Sequence, residues 1–170
     1  MKSFLLTLFA VFACLSPLAA QSPKDLPEMK VLQQFVGSWK YEATFFKAAW
    51  NPDEKHIAGT VTTAATLDGS FIEEKGTDGE GGKSQKLYTY DVQEGTYRAW
   101  WFSSRGLTNE STGKWDAASH TLTWTTKLPG GPVGITTQHF VDEKTVEWVI
   151  RFKDADGSET FHAEGKNTRP

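Results

Sequence analysis

From Gly37 onward, apolar and polar side chains alternate with a period of two, in runs of about eight to ten residues. Trp39, Tyr41, Ala43 and Phe45 fall on one side of the first run, opposite Lys40, Glu42 and Thr44. Val146, Trp148, Ile150 and Phe152 do the same in a later run, opposite Glu147 and Arg151. Side chains of a strand point alternately to its two faces, so this pattern predicts strands with one face in a core. Read this way, strands fall near 37–46, 56–66, 70–77, 83–92, 96–103, 106–115, 119–127, 133–142, 144–153 and 158–168. Between them stand Gly, Asp, Asn and Pro turns, such as Leu67-Asp68-Gly69, Gln93-Glu94-Gly95 and Pro129-Gly130-Gly131-Pro132. None is long enough for a crossover helix, so neighbouring strands run antiparallel. An antiparallel meander hides its edges by closing or by folding into a sandwich, and no long return connection points to a sandwich. The prediction is an all-β, up-and-down barrel of about ten strands. The one helical pattern is short: Pro27 suits a first helical position, Leu32 and Phe35 recur at helical spacing, and Gly37 ends it. Trp100 and Trp101 are adjacent and must face opposite sides; the outer one is either covered by the helix or a loop, or part of an exposed aromatic patch.

The first twenty residues read differently. Lys2 supplies a positive start, Phe4 to Leu15 form an apolar run too short for a transmembrane helix, and Leu18-Ala19-Ala20 ends it with small residues. This is the layout of a secretory signal peptide over 1–20, followed by a polar leader over 21–27 and the barrel domain over 28–170. Export to the periplasm or outside the cell is expected. A second route is open at Val11-Phe12-Ala13-Cys14, where a lipoprotein signal would make Cys14 the acylated first residue, although Phe12 fits that pattern poorly. Cleavage after Ala20 removes the chain's one cysteine, so the mature protein would have neither disulfide nor thiol nucleophile.

Charge and motifs narrow the function. The chain has 18 basic and 21 acidic side chains, a net charge of −3, and its lysines are interspersed with acids. With no basic stripe, nucleic acid is excluded as a partner. Thr77-Asp78-Gly79-Glu80-Gly81-Gly82-Lys83-Ser84 lacks the first glycine of a phosphate loop and leads into a strand, not a helix, so it reads as a hairpin turn. The histidines His56, His120, His139 and His162 form no metal-ligand pair, and His162 alternates outward against Phe161 and Ala163. No serine sits in a nucleophile elbow, and Glu73 and Glu74 point to opposite faces, so no catalytic set can be assembled from spacing.

The opening Phe35-Val36-Gly37-Ser38-Trp39 resembles the start of lipocalin-like (calycin) barrels, in which a short helix leads to Gly-x-Trp on the first strand. The chain also resembles the bacterial domain of unknown function 1579 family. The resemblance is carried in order by that opening, by Leu67-Asp68-Gly69-Ser70-Phe71-Ile72-Glu73-Glu74, by Tyr90-Asp91, by His120-Thr121-Leu122-Thr123, and by Asn167-Thr168-Arg169. Ser70 departs from the basic residue expected there. What the resemblance implies is a lipocalin-like barrel without an established activity. It further implies that Trp39, following Gly37, closes the barrel floor by stacking with Arg169. The terminal position of Arg169 alone would instead leave it in solvent.

Three functional readings remain: a barrel binding a small apolar or amphipathic ligand, a filled barrel with an envelope or protein-interaction role, and an unrecognised enzyme. For the first, the candidate wall is Tyr41, Thr137, His139, Trp148 and Ile150. A two-residue turn at Glu143-Lys144 would set Val141 opposite Val146 and His139 opposite Trp148, placing His139 inside. There it is either a hydrogen-bonded core histidine or the polar anchor of a pocket, conceivably an axial ligand of haem. No other cofactor and no metal are called for. The export reading has a direct check: N-terminal sequencing of protein from its own host should begin within a residue or two of Gln21. A lipid-modified start at Cys14 would move the reading to a lipoprotein, and a cytoplasmic chain starting at Met1 would defeat it.

Overall fold

The computed structural model describes residues 23–170, so the signal-peptide and Cys14 readings lie outside the described residues. The helix α1 (Pro27–Gln33) is followed by ten strands: β1 (Gly37–Phe45), β2 (Lys55–Thr66), β3 (Phe71–Asp78), β4 (Lys83–Asp91), β5 (Thr96–Ser103), β6 (Thr108–Asp116), β7 (Thr121–Lys127), β8 (Val133–Asp142), β9 (Thr145–Lys153) and β10 (Glu159–Thr168). Each strand pairs antiparallel with the next, and β1 pairs with β10 from Lys40↔Thr168 to Phe45↔Ala163, closing the barrel. Every expected strand is present with ends shifted by at most two residues. The helix is shorter than its sequence pattern: beyond Gln33 the chain continues in tighter i→i−3 turns to Val36.

Following the cross-strand register around the barrel identifies the inward face. Trp39, Val61, Ile72, Tyr88, Tyr97, Leu122, Trp124, Phe140 and Val146 all point in and are buried. With Met29, Leu32 and Phe35 of the N-terminal segment they form one cluster that fills the end at which β1 begins. Phe35 lies between Tyr88 (ring centroids 5.5 Å apart) and Phe140 (4.9 Å), so the segment after α1 is a plug, not a flap. Four inward glycines each make room for a ring from the next strand. Gly59, Gly113, Gly134 and Gly165 stand directly opposite Tyr41, Trp124, Phe152 and Trp148, and a methyl group on any of them would collide with that ring. Each aromatic ring lies flat over the glycine of its neighbour strand, a cross-strand packing open only where the partner lacks a side chain.

The floor is tied by the residues the resemblance implied. The Arg169 guanidinium sits 4.3 Å from the centroid of the Trp39 ring, and Trp39 Nε1 donates to the Phe35 carbonyl at 2.7 Å. Arg169 also donates to the carbonyls of Val36 and Glu143, each at 2.7 Å, and its backbone N–H to that of Lys144. Gly37 has φ +134°, which L side chains rarely adopt, and a Cβ there would lie 3.2 Å from Arg169 Nη1. The backbone conformation is what calls for glycine here.

Two expectations meet the register. The turn at Glu143-Lys144 has the expected two residues, with Asp142 opposite Thr145, but a β-bulge at Val141 then sets Phe140 opposite Val146 and Gln138 opposite Trp148. One extra residue reverses which faces point in, because side chains alternate with a period of two. His139 and Thr137 therefore lie on the outer face, and Thr136, Gln138 and Phe140 line the interior. Trp101 points inward and Trp100 outward, where it is partly buried against Phe71 and Arg98 of the same outer surface. Trp39→Ala should cost about 3–5 kcal/mol, as large buried aromatic truncations do, and Arg169→Ala about 1–2 kcal/mol. Urea denaturation checks both, and a chain indifferent to loss of Arg169 would contradict the tied floor.

Candidate functional site

A row of polar side chains runs through the filled end of the barrel. Thr63, Glu74 and Lys86 occupy one register row on β2, β3 and β4, and all three point inward. Alternation dictates this: Glu74 shares its face with Ile72 and Gly76, and Lys86 shares its face with Tyr88 and Tyr90. The Tyr88 hydroxyl donates to Glu74 Oε2 at 3.0 Å, and Lys86 Nζ lies 5.1 Å above the centroid of the Tyr88 ring. Burial pushes the Tyr88 phenol pKa well above its ordinary value, and the Glu74 charge adds to the rise. Burial also holds the Lys86 ammonium below the usual lysine value, and the Glu74 carboxylate offsets part of that. Thr63 Oγ1 is enclosed and has no hydrogen-bond partner. Several other polar side chains inside are paired: Trp124 Nε1 donates to Gln138 Oε1 at 2.7 Å, Trp148 Nε1 to Asn167 Oδ1 at 2.8 Å, and the Ser111 and Thr126 hydroxyls lie 2.6 Å apart. Next to these, Thr63, Glu74 and Lys86 stand out as a polar group lacking such closure.

Towards the mouth the inner surface is less buried. Trp101, Asn109, Thr136, Trp148, Ile150 and Phe152 point inward yet keep partial exposure, so water reaches between them. Phe45, Phe152 and Phe161 form the rim at the far end from the helix, with the Phe161 ring 5.6 Å from Phe45 and 6.1 Å from Phe152. Residues 46–54 join β1 to β2 across this rim, and Trp50, half exposed, rests 5.4 Å from Phe152. The Asn51 carboxamide nitrogen donates to the carbonyls of Phe45, Phe46 and Asp53, and Trp50 N–H donates to the Thr160 carbonyl. The connection is thus pinned at both edges of the mouth. Tyr41 also points inward, beside Gly59; burial raises its phenol pKa, with the Asp78 charge adding to the effect.

Of the sequence-predicted wall, Tyr41, Trp148 and Ile150 face the lumen, and His139 and Thr137 do not. His139 is exposed, with Nδ1 2.9 Å from the Ser119 carbonyl oxygen and 3.4 Å from the Thr121 hydroxyl. All four histidines lie outside the lumen, so His139 cannot be an axial ligand to haem held within it. Among the described residues no three His, Cys, Asp or Glu side chains are grouped to hold a metal ion. Thr137 and His139 instead border an open trough of about 850 Å³ over the outer face of β1, β2, β8, β9 and β10, beside Glu147, Glu164 and Lys166. It carries both signs of charge and is open to solvent, unlike the enclosed apolar surroundings that hold small ligands. Glu74, Lys86 and Tyr88 were missed as site residues. Alternation sets each of them on one face of its strand, but it takes the pairing of β3 with β4 to bring them together.

The profile of the family described as "Protein of unknown function (DUF1579)" matches residues 24–169. Among curated proteins none matches. Solved structures do: Rv2717c from M. tuberculosis has a TM-score of 0.64 at 10% identity, covering 85% of this chain and 98% of that one. The S-type phycobiliprotein lyase CPES from Guillardia theta has a TM-score of 0.56 at 11% identity, covering 87% of this chain and 95% of that one. A protein of unknown function from the DUF3598 family of Nostoc punctiforme has a TM-score of 0.54 at 9% identity, covering 82% of this chain and 49% of that one. At such identities the likeness is one of fold.

Replacing two opposite charges inside a protein by neutral groups of similar shape often stabilises it, whereas removing one leaves the other uncompensated. The double change Glu74→Gln with Lys86→Met keeps an acceptor for the Tyr88 hydroxyl and should stabilise the chain by about 1–2 kcal/mol. Lys86→Met alone should be less stable than the double variant. Urea midpoints compare the two, and a double variant less stable than the native chain would show that the pair is structural.

Proposed function

We propose that this chain, which belongs to the DUF1579 family, is an exported binding barrel that holds a small amphipathic molecule between its filled floor and its aromatic mouth. The observation that carries this reading is the inward placement of Glu74 and Lys86 beside an interior filled mainly with apolar side chains. Charges inside a protein cost free energy, and a barrel serving only as a wall gains nothing from them. A polar layer beneath a ring of Phe45, Phe152 and Phe161 suits a molecule with one polar end and an apolar body. The aromatic rim and the pinned Trp50 connection give the body apolar contacts on its way in. Export rests on the pattern of residues 1–20. The likeness to a phycobiliprotein lyase supplies a precedent for the fold and assigns this chain neither substrate nor reaction.

A protein-interaction role is the second reading, and the outer face favours it at one place: Trp100 and the exposed Phe102 point outward from the same strand, β5. Native mass spectrometry with lipid extraction, on protein purified from its own host, separates the two. The binding reading expects a bound small molecule whose removal by extraction lowers the melting temperature. A protein that arrives empty, and whose tryptophan fluorescence ignores a panel of amphiphiles, leaves the interaction role.

A further inference from the structure

We infer that Lys86 captures apolar aryl aldehydes as a protonated imine, with Glu74 as its counter-charge. This rests on the binding reading and names the ligand class for the same site. Lys86 points inward from β4 and keeps partial exposure. The inner side chains between it and the mouth end of its strand are small: Ser84 comes next on β4, beside Gly76 on β3 and Ser103 on β5. A carbonyl group can therefore approach the amine from the mouth. No hydrogen bond within the described residues engages Lys86 Nζ, and Glu74 acts on it as a nearby charge. Burial holds its pKa below the usual lysine value, which enlarges the share of neutral amine with a free lone pair.

A neutral lysine amine is a nucleophile toward carbonyl carbon. The ammonium sheds one proton to water, and the nitrogen lone pair adds to the aldehyde carbon, breaking the carbonyl π bond. A proton then moves from nitrogen to oxygen and gives the carbinolamine. The proton shed at the start returns to that hydroxyl, which leaves as water while the C=N bond forms. The iminium product carries the single positive charge that the ammonium began with. Glu74, opposite Lys86 in the register, supplies the negative charge for it, and the Tyr88 hydroxyl donates to that carboxylate at 3.0 Å. The same carboxylate repels an acid, whereas an aldehyde brings no charge into the row. The surfaces beside the amine are aromatic: the Tyr88 ring lies beneath it, with the centroid 5.1 Å away, and Trp101 is its cross-strand neighbour. A flat aryl body suits them.

The probe is para-dimethylaminobenzaldehyde, whose imine absorbs at longer wavelength when protonated. Limiting cyanoborohydride near neutral pH fixes the adduct, and peptide mapping by mass spectrometry locates it. Lys86 is expected to be labelled at least about tenfold faster than any other lysine. Lys86→Arg keeps the charge and should lose that label. Glu74→Gln should keep the label and move the absorption of the unreduced adduct to the shorter wavelength of the neutral imine. An imine that stays protonated in Glu74→Gln removes Glu74 as the counter-charge. Near-ultraviolet circular dichroism shows that the variants fold, and mapping of the native protein tests the inference without them. Label spread evenly over the lysines, or concentrated on another one, overturns the inference. If the probe then quenches tryptophan fluorescence equally in the native and Lys86→Arg proteins, the binding reading stands without the imine. A protein neither labelled at Lys86 nor quenched overturns the inference, and the binding reading falls with it if the host-purified protein also carries no small molecule.

Discussion

Closure of β1 on β10 is the constraint on which the rest of this structure depends. A ten-strand meander left open would present two unpaired edges, each with a row of unsatisfied backbone groups. Pairing the first strand with the last removes both, but it joins segments more than a hundred residues apart, and the junction has to be held. Arg169 holds it. From just past the end of β10 it covers the Trp39 ring and takes the carbonyls of Val36 and Glu143, so one side chain joins the entry to β1, the turn before β9 and the C-terminal end of the barrel. Once the circle is closed, every inward position is fixed by its neighbours, and the segment after α1 can plug one end against a wall that does not move.

Within that circle, space is limited, and the distribution of glycines decides where it is used. A barrel interior of this kind cannot hold two large side chains side by side at every level. Rings laid over Gly113 and Gly59 on neighbouring strands let Trp124 and Tyr41 lie along the wall instead of standing out across the lumen. Trp124 is buried and contributes to the floor, packing on Tyr88 and Tyr97. Nearer the mouth the rings of Trp148 and Phe152 have the same kind of seat but retain contact with water. The same device thus serves both a buried base and a partly exposed mouth.

Most of this architecture was legible in the alternation of side chains. Period-two runs separated by short turns specify strands and their direction locally, which is why all ten were found. The Trp39–Arg169 contact followed from resemblance, since nothing local in Asn167-Thr168-Arg169 says where a chain end will fold. The ligand wall was read less well. Tyr41, Trp148 and Ile150 lie on the inner face because their strands follow unbroken alternation. His139 was misplaced because a bulge is a property of two paired strands, and β8 by itself offers two faces of similar character: Ile135 and Val141 on one side, Phe140 on the other. Lys86 and Glu74 carry no motif. Their interest comes from being side by side within the barrel, a relation that pairing creates.

The bulge at Val141 also bears on how this barrel tolerates changes in length. Val141 is an exposed, unpaired residue between Phe140↔Val146 and Asp142↔Thr145. A chain lacking it would run directly from Phe140 to Asp142 with both pairings intact, and the interior would present the same side chains. Anywhere inside β8 between Gly134 and Phe140, the loss of one residue would exchange inner for outer face along the remainder of the strand. Natural or engineered variants that differ by a single residue in this hairpin can therefore share one lumen if the difference falls at position 141, and have unrelated lumens if it falls a few positions earlier.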